Sequence, residues 1–251
     1  MLTIERQEFI IGLLKEKEIV SVRQICESTG ASESTIRRDL TELENRQLIK
    51  RVHGGASLLK KKRAEPTLLE KTAQYQAEKE AIAKKAVTFV EDGDSIYLDA
   101  GTSTMQMIPL LKEKSVVVVT NGIPHVQLLM EYGIETYVIA GKAKKGTAAL
   151  IGTKAVDAIK EFRFDKCFLG INGIHASQGF TTPDPEEANV KQAAIEQSQA
   201  SYILADPTKF GEVSFASVAN IELATIITTD EISTEQQEKI AKLTTLEVVS
   251  L

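Results

Sequence analysis

The sequence predicts two fold classes in one chain: an α+β head at residues 1–58 and an α/β body with a mostly parallel sheet at 72–251, joined by a linker at 59–71. Apolar residues recur at helical spacing in the head, whereas β-branched runs alternate with helix-length segments in the body. Charge divides in the same way. Residues 1–63 carry 13 lysines and arginines against nine acidic residues, a net charge of +4. Because the whole chain has a net charge of −5, the remaining residues sum to −9.

Bulk composition excludes several classes of protein. A hydrophobic share of 43% and a charged share of 26% are typical of a globular chain with a core. No apolar run reaches the roughly 18 residues that cross a bilayer, and the first ten residues do not form a signal peptide. Two distant cysteines and three isolated histidines give neither a disulfide framework nor a metal-ligand spacing. We expect a cytoplasmic protein with no membrane partner, metal or cofactor.

The head begins with three helices. The first spans about residues 4–17, and the second follows Ser21. Both carry apolar residues at i, i+3 and i+4, which defines a buried face. Gly30 supplies a turn, and Ser32 is the predicted N-cap of the third helix, where Glu33 suits the positive end of the helix dipole.

The third helix has one apolar and one polar face. Ile36, Leu40 and Leu43 cluster within about 60° and face the core. The opposite face offers hydroxyl and guanidinium groups from Ser34, Arg38 and Thr41, with Thr35 and Arg37 on its flanks. Such groups bind base edges and phosphates, although any solvated amphipathic helix also exposes polar groups. The order of short helix, glycine turn and second helix favours a helix-turn-helix.

A hairpin follows the third helix. The segment LIKRVHGGASLL has apolar strands around a His-Gly-Gly turn, and its basic residues suit a wing that touches DNA, although His53 can equally be a turn residue. The basic run at 60–63 is a solvated linker or a phosphate contact. The candidate DNA-binding residues are Ser32, Ser34, Thr35, Arg37, Arg38, Thr41, Arg51, His53, Gly54 and Gly55.

These strings carry a resemblance. TIRRDLTELE followed by RVHGGA resembles the N-terminal signature of the DeoR family of bacterial sugar-metabolism regulators, without gaps from about Leu2 to Ala56. The resemblance implies a winged helix-turn-helix whose third helix enters the major groove of double-stranded operator DNA.

The body is predicted to be a mostly parallel sheet covered on both faces. One long helix, from about Thr72 to Glu91, carries an apolar stripe. Helix-length segments then separate six strand-length runs: SIYLDA, SVVVVTN, TYVIAG, KCFLGING, SYILAD and ATIITTD.

Polar and glycine residues follow four of these strands, at 99–104, 120–122, 170–173 and 206–211. Ligands of open α/β sheets bind at the carboxyl ends of strands. Gly101 leaves room for a ligand, the neighbouring hydroxyls can donate, and the helix that this loop opens favours an anion at its N-terminus. Each loop alone suits an ordinary turn. Four on one edge favour a pocket for phosphate and hydroxyl groups.

The segment TTPDPEEANVKQAAIEQS predicts a loop followed by a helix. Asp184 can cap that helix, and Glu186 and Glu187 either favour its first turn or bind a ligand. Lys191 lies one turn beyond Glu187, either as its surface ion-pair partner or as a cation in the pocket.

The resemblance extends through the body. YLDAGTST, VVTNG, FLGING, GFTTPDPEEANVK and LADPTKFG resemble segments of DeoR-type effector domains. This implies a fold similar to ribose-5-phosphate isomerase and coenzyme A transferases, with a phosphorylated sugar as effector. The candidate effector-binding residues are Asp99, Gly101, Thr102, Ser103, Thr104, Thr120, Asn121, Gly122, Asn172, Gly173, Glu187, Lys191 and Lys209.

Two positions depart from the family pattern. Gly173-Ile174-His175 stands where members often have Gly-Ile-Asp, which removes a carboxylate beside the predicted pocket, and Gly141-Lys142 stands where they often have Gly-Gly. The string ASESTIRRDL and the sensor loops are most similar to fructose-operon repressors of Gram-positive bacteria, which implies fructose 1-phosphate as effector.

The sequence alone is compatible with three functions. The favoured one is a homo-oligomeric repressor that a sugar phosphate controls. A sugar-phosphate isomerase with an accessory head would use the same carboxylates and lysines for proton transfer. A non-specific DNA-organising protein would bind all DNA sequences equally.

Overall fold

The structure, a computed structural model, describes residues 2–17, 19–46, 48–52, 54–58 and 66–251. The chain divides into two compact units, Met1–Lys61 with the head and Lys62–Leu251 with the body. His53 and the basic run at 60–63 lie outside the described residues. No helix in the described part of the chain is long and apolar enough to cross a membrane.

The head is a winged helix-turn-helix, which confirms the predicted fold class. Its elements are α1 (Thr3–Lys17), β1 (Ile19–Ser21), α2 (Val22–Thr29), α3 (Glu33–Asn45), β2 (Ile49–Val52) and β3 (Gly55–Leu58). The strands form an antiparallel sheet in the order β1-β3-β2. The three-residue strand β1 is not predicted from the sequence, because so short a run has no readable alternation.

Local signals place the two central helices of the head. Ser21 and Gln24 form a capping box at the start of α2, and Gly30 ends that helix at φ 70°. The buried face of α3, made by Ile36 and its neighbours one and two turns on, lies in the core of the head. Beside that core, the buried Asp39 carboxylate pairs with Arg6, Oδ2 to Nε, at 2.5 Å.

The body contains more elements than the sequence predicts. Its strands are β4 (Ser95–Leu98), β5 (Val117–Thr120), β6 (Glu135–Val138), β7 (Lys142–Ala143), β8 (Leu150–Ile151), β9 (Phe164–Gly170), β10 (Gly173–His175), β11 (Gly179–Thr182), β12 (Ser198–Leu204), β13 (Ala216–Ala219), β14 (Thr225–Thr229) and β15 (Leu246–Val249). Its helices are α4 (Leu68–Ala73), α5 (Gln76–Val87), α6 (Thr102–Met105), α7 (Ile108–Leu111), α8 (Ile123–Glu131), α9 (Thr153–Lys160), α10 (Pro185–Glu196) and α11 (Thr234–Ala241).

Seven strands form the main sheet in the order β15-β14-β12-β9-β4-β5-β6, and every neighbouring pair is parallel. The chain runs outward from β4 to β6, then returns to β9 and continues to β15 on the other side. The direction therefore reverses between β4 and β9, which is where sheets of this kind bind ligands. Two smaller antiparallel sheets, β10-β11-β13 and β7-β8, complete the body.

Apolar layers cover both faces of this sheet. One buries Tyr97 and Phe164 with side chains of α9 and α10, and the other buries Phe168 with side chains of α5. The predicted α/β class of the body is therefore confirmed.

The predicted single helix from Thr72 to Glu91 is wrong. The segment forms α4, which overlaps the end of the predicted linker, and α5, which ends at Val87. Between them Gln74 is extended and Tyr75 has φ 55°. Lys79, whose pKa burial lowers, donates to the carbonyl oxygens of Lys71 and Gln74 at the break. The sequence does not reveal this break, because both segments have helical spacing and the residues between them include neither glycine nor proline.

Candidate DNA-binding face and strand-end site

The N-terminus of α3 presents a cluster of hydroxyl groups. Ser32 is the N-cap, and its Oγ accepts from the Thr35 amide at 3.3 Å. The same Oγ lies 3.0 Å from Ser34 Oγ and 2.8 Å from Thr35 Oγ1. Ser34 is exposed. The predicted cap at Ser32 and the predicted outward direction of Ser34 are both seen in the structure, whereas Thr35 on the flank is half-buried.

The two arginines of α3 differ in their contacts. Arg37 Nη2 pairs with Glu33 Oε1 at 2.6 Å, one turn earlier on the helix. Arg38 is exposed, and its guanidinium has no partner among the described residues. Thr41 is also exposed and accepts from Arg51 Nη1 of β2 at 3.3 Å. The polar face of α3 and the wing therefore adjoin at Thr41.

The two glycines of the wing have different surroundings. Gly54 is exposed at φ 76°, which suits a tight turn. Gly55 is buried, and a Cβ there would lie 2.3 Å from the Val20 carbonyl oxygen. The close pairing of β3 with β1 explains the glycine at 55, so this residue has no exposed side to offer DNA.

In the body, the reversal between β4 and β9 holds a buried ion pair. Asp99 directly follows β4 and accepts from Lys191 of α10 and, at 3.2 Å, from the Gly170 amide at the end of β9. The Lys191 and Asp99 side chains are only 8% and 5% exposed. Lys191 is therefore not a surface partner of Glu187: it is a buried cation at the strand ends, paired with Asp99, and its role as a cation toward a ligand stays a prediction.

The loop after β5 lies beside that ion pair. Asn121 Oδ1 accepts from the Ala100 amide at 2.9 Å, and Thr120 Oγ1 donates to the Leu98 carbonyl at 2.7 Å. These bonds fix the two loops to each other. A Cβ at Gly122 would lie 2.5 Å from His125 Nδ1, so that glycine leaves room for a histidine.

Two buried residues stabilise the loop after β4. Thr104 Oγ1 donates to the carbonyl of Asp99 or Gly101, at 2.6 and 2.8 Å. Its proton is thereby used, so we assign the Nε2 proton of His125, 3.1 Å away, as donor to Thr104. His125 is fully buried, and burial lowers its pKa to about 4. A neutral imidazole therefore holds α8 against this loop.

The helix opened by the 99–104 loop is only four residues long, so the predicted anion preference of a helix N-terminus has little support. The Thr102 and Ser103 hydroxyls, both on mostly buried side chains, have no hydrogen-bond partner within the described chain. A Cβ on Gly101 would lie 3.5 Å from the Gly170 Cα. Gly101 thus lets the ends of β4 and β9 approach each other.

Glu187 of α10 is a second buried carboxylate, 6% exposed. Its Oε1 accepts from Thr147 Oγ1 at 2.9 Å and lies 3.2 Å from Lys144 Nζ. Thr182 Oγ1 lies 3.5 Å from Glu187 Oε2 and donates to Asn172 Oδ1 at 2.9 Å. Glu187 therefore faces inward, as its ligand-binding interpretation requires.

Neighbouring acidic groups have structural roles. Asp184 caps α10 by accepting from the Glu186 amide at 2.8 Å, as predicted. Partial burial works to raise the pKa of Asp184, but hydrogen bonds from Lys144 and from the Glu186 amide outweigh it and lower that pKa. Glu186 is half-buried and pairs with Lys142 at 3.0 Å.

Two predicted effector residues stand apart from these clusters. Lys209 pairs with Asp206 at 3.3 Å in the 3₁₀ turn after β12 and, among the described residues, contacts neither Asp99 nor Glu187. A Cβ at Gly173 would lie 2.5 Å from the Glu212 carbonyl oxygen. Packing of β10 therefore explains that glycine.

A cavity of about 400 Å³ lies elsewhere on the body, between β10 and α11. Ile174, His175, Phe210 and Gln236 are among its lining residues, and none of the predicted effector residues lines it. At the strand ends, by contrast, Asp99, Lys191 and Glu187 are paired with other side chains of the body.

Sequence reasoning missed Lys144, Thr147 and His125. Lys144 and Thr147 lie in the closing loop, residues 144–149, between β7 and β8. The string KKGTAA has the composition of an ordinary surface loop. Only the requirement that a buried Glu187 have partners indicates such residues.

Comparisons with known proteins agree with both halves of the structure. Residues 6–62 match the DeoR-like helix-turn-helix domain, and residues 74–231 match the DeoR C terminal sensor domain. The two matches cover the winged head and most of the parallel sheet.

Similar proteins extend along nearly the whole chain. A Bacillus subtilis protein named as an uncharacterized HTH-type transcriptional regulator, FruR, is 51% identical over 92% of each chain. A lactose phosphotransferase system repressor of Staphylococcus epidermidis is 31% identical over 98% of each chain. Among solved structures, ribose 5-phosphate isomerase A of Methanocaldococcus jannaschii aligns with a TM-score of 0.41 at 18% identity, over 54% of each chain. The chain belongs to the DeoR family of helix-turn-helix transcriptional regulators.

Proposed function

We propose that this regulator represses a sugar-catabolism operon and that a phosphorylated sugar, fructose 1-phosphate, relieves the repression. One observation carries the proposal: a chain that exposes the polar face of α3 also collects Asp99, Lys191 and Glu187 at the carboxyl ends of parallel strands. The similarity to a lactose phosphotransferase system repressor supports repression rather than activation. The similarity of ASESTIRRDL and the sensor loops to fructose-operon repressors supports the choice of sugar.

On the DNA side, Ser34, Arg38 and Thr41 contact base edges in the major groove. Arg38 supplies a bidentate donor, and the small hydroxyls allow close approach. The remaining candidates, which contact phosphates, are the exposed Ser32, Arg37, Arg51 and Gly54 and the half-buried Thr35. One head offers few base contacts, so the protein binds as a homo-oligomer with two heads on repeated half-sites.

On the effector side, the phosphate binds lysine ammonium groups and the sugar hydroxyls bind carboxylates. Lys191 is the central cation, and the unpaired hydroxyls of Thr102 and Ser103 are further donors. Asp99, Glu187 and Asn172 accept from the sugar. A phosphate group competes well with a carboxylate for an ammonium group, because charge-assisted hydrogen bonds are strong.

Calorimetry and thermal shift of the full chain test the effector. We expect fructose 1-phosphate to bind one molecule per chain and raise Tm, because a ligand of the native state stabilises it. Fructose and inorganic phosphate are the controls and bind far more weakly. If no sugar phosphate binds, the proposed sensor function is wrong.

A competition gel shift tests the DNA side. The protein is first used to select its site from random duplexes, and that site then competes against bulk DNA. We expect preference for the selected site by at least about a thousandfold at physiological salt. Equal affinity for both DNAs would instead identify a non-specific DNA-organising protein.

A further inference from the structure

Helix α4 is a marginal element at a sensitive position. It follows residues 59–65, through which the chain connects the head to the body, and none of its six residues is buried. A capping box between Thr67 and Glu70 begins it. Because so short a helix is not stable by itself, its neighbours determine whether it stays docked.

Groups of the body hold α4 at both ends. At its start, the Leu68 amide donates to the Gly146 carbonyl at 2.9 Å. At its end, the Lys79 ammonium donates to the carbonyls of Lys71 and Gln74. The helix also packs against α6, which carries the Thr102 and Ser103 hydroxyls. Gly146 lies in the closing loop, so the start of α4 is bound to a wall of the strand-end site.

The closing loop is held together by its own backbone hydrogen bonds, so we expect it to move as one unit. Lys144 and Ala149 are joined by a backbone hydrogen bond of 2.8 Å, and Ala148 donates to the Lys144 carbonyl at 2.9 Å. Ala148 has φ 53°, a conformation that a non-glycine residue keeps only where its surroundings enforce it. A shift of one residue of this loop is therefore passed to the others.

The same loop occupies Glu187. Thr147 donates to its Oε1, and Lys144 pairs with it. Both groups lie on Oε1 of Glu187, and both belong to the loop. A sugar hydroxyl that binds Oε1 therefore competes with Thr147 and Lys144 for the same buried carboxylate oxygen.

We propose that the closing loop and α4 form the connection by which the strand-end site controls the head. A ligand that replaces Thr147 or Lys144 on Glu187 shifts the loop, withdraws the Gly146 carbonyl from Leu68 and undocks α4. This inference rests on the proposed function. It requires only that the ligand bind the shifted loop more tightly than the unshifted one.

Leu68→Pro tests the connection at a single bond. Leu68 is the first residue of α4, where proline is well tolerated, and Thr67 has the extended backbone that precedes proline. The variant therefore removes the amide donor to Gly146 and keeps the helix. Thr234→Pro is the matched control: it lies at the same position of α11, after the extended Ser233, and its amide has no acceptor among the described residues.

The measured quantity is the ratio of the operator Kd with fructose 1-phosphate to the Kd without it, for the full chain at fixed salt. We expect Leu68→Pro to reduce this ratio about fivefold, the scale of one hydrogen bond, and Thr234→Pro to leave it within about twofold. An unchanged ratio in Leu68→Pro overturns the inference while the proposed function stands. A wild-type ratio of one is the different result that overturns the proposed function.

Two further measurements keep the test decisive. Calorimetry should show that Leu68→Pro binds fructose 1-phosphate at least as tightly as the wild type, because binding no longer has to break this bond. Loss of binding would place the bond in the effector site and overturn the inference. Hydrogen exchange of the wild-type chain does not depend on the variant folding. Fructose 1-phosphate should speed exchange of the Leu68–Ala73 amides, and unchanged exchange would overturn the inference.

Discussion

The polar groups on the face of α3 and those of the strand-end site differ in their exposure and in their partners. In the head, Arg38 and Ser34 face solvent on a helix fixed by its buried side. In the body, Asp99, Lys191 and Glu187 are buried and satisfied by other side chains of the protein. One surface is ready for a partner, whereas the other is already occupied by its own groups.

This difference matches the two tasks of a ligand-controlled regulator. A preformed, exposed face binds DNA with little rearrangement, so its affinity depends on new contacts and on salt. At the strand ends, a ligand reaches the charges of Asp99, Lys191 and Glu187 by exchanging their internal pairs. Binding there is therefore coupled to movement of the groups displaced, which is the condition for controlling a distant head.

The largest expected effect tests whether the buried pair is essential to the body. Lys191→Met leaves the Asp99 carboxylate buried without its cation, so the free energy of unfolding should fall by about 3–5 kcal/mol. Lys142→Met breaks the exposed pair with Glu186 and should cost less than about 1 kcal/mol. Urea denaturation followed by circular dichroism measures both. Equal losses would remove the contrast between buried and exposed pairing.

The next effect concerns His125 and pH. Its folded-state pKa of about 4 lies below the ordinary 6.5, so the unfolded chain binds the proton more tightly than the folded one. Stability is complete above pH 6.5 and declines toward pH 4, with about 3 kcal/mol lost in total. His125→Gln keeps a donor to Thr104 and should remove this part of the pH dependence. A variant with the wild-type slope between pH 6.5 and 4 would contradict the assignment.

A smaller effect tests the exposed face. Arg38→Ala should weaken binding to the selected operator by about 1–3 kcal/mol and binding to random DNA much less, because base contacts carry the sequence information. Fluorescence anisotropy at fixed salt measures both affinities. Arg163→Ala, which removes the same charge from the body, is the control. An equal loss on both DNAs would reduce Arg38 to a phosphate contact.

The smallest effect separates the wing from α3. Arg51→Gln should weaken operator and random DNA alike, by less than about 1 kcal/mol, and reduce the salt slope by about one phosphate contact. Anisotropy titrations over a range of salt concentrations give that slope. A loss confined to the operator would show that Arg51 reads bases with α3.

Sequence alone located the elements whose signals are local. Ser21, Gly30 and Ser32 define the ends of α2 and the start of α3 through capping groups within three residues. Six of the seven strands of the main sheet follow from β-branched runs, whereas β15, with the sequence LEVV at the end of the chain, was not predicted.

Pairings across long sequence separations were beyond the sequence. Lys191 and Asp99 are 92 positions apart, and Thr147 and Glu187 are 40 apart, so no periodicity connects them. At positions 122 and 173 any residue larger than glycine would clash, with His125 and with the Glu212 carbonyl respectively. Only the fold brings these neighbours close. The sequence identified the strand ends at which Asp99 lies, whereas only the tertiary structure shows that Lys191 and the loop at 144–149 pair with the buried carboxylates there.

The most direct test of this account is the operator affinity of the full chain, measured by anisotropy with and without saturating fructose 1-phosphate at fixed salt. The account predicts that the sugar phosphate weakens operator binding by about 5–150-fold, the usual range of coupling between two sites, while fructose and inorganic phosphate leave it unchanged. An operator Kd that is the same with and without fructose 1-phosphate would contradict the account.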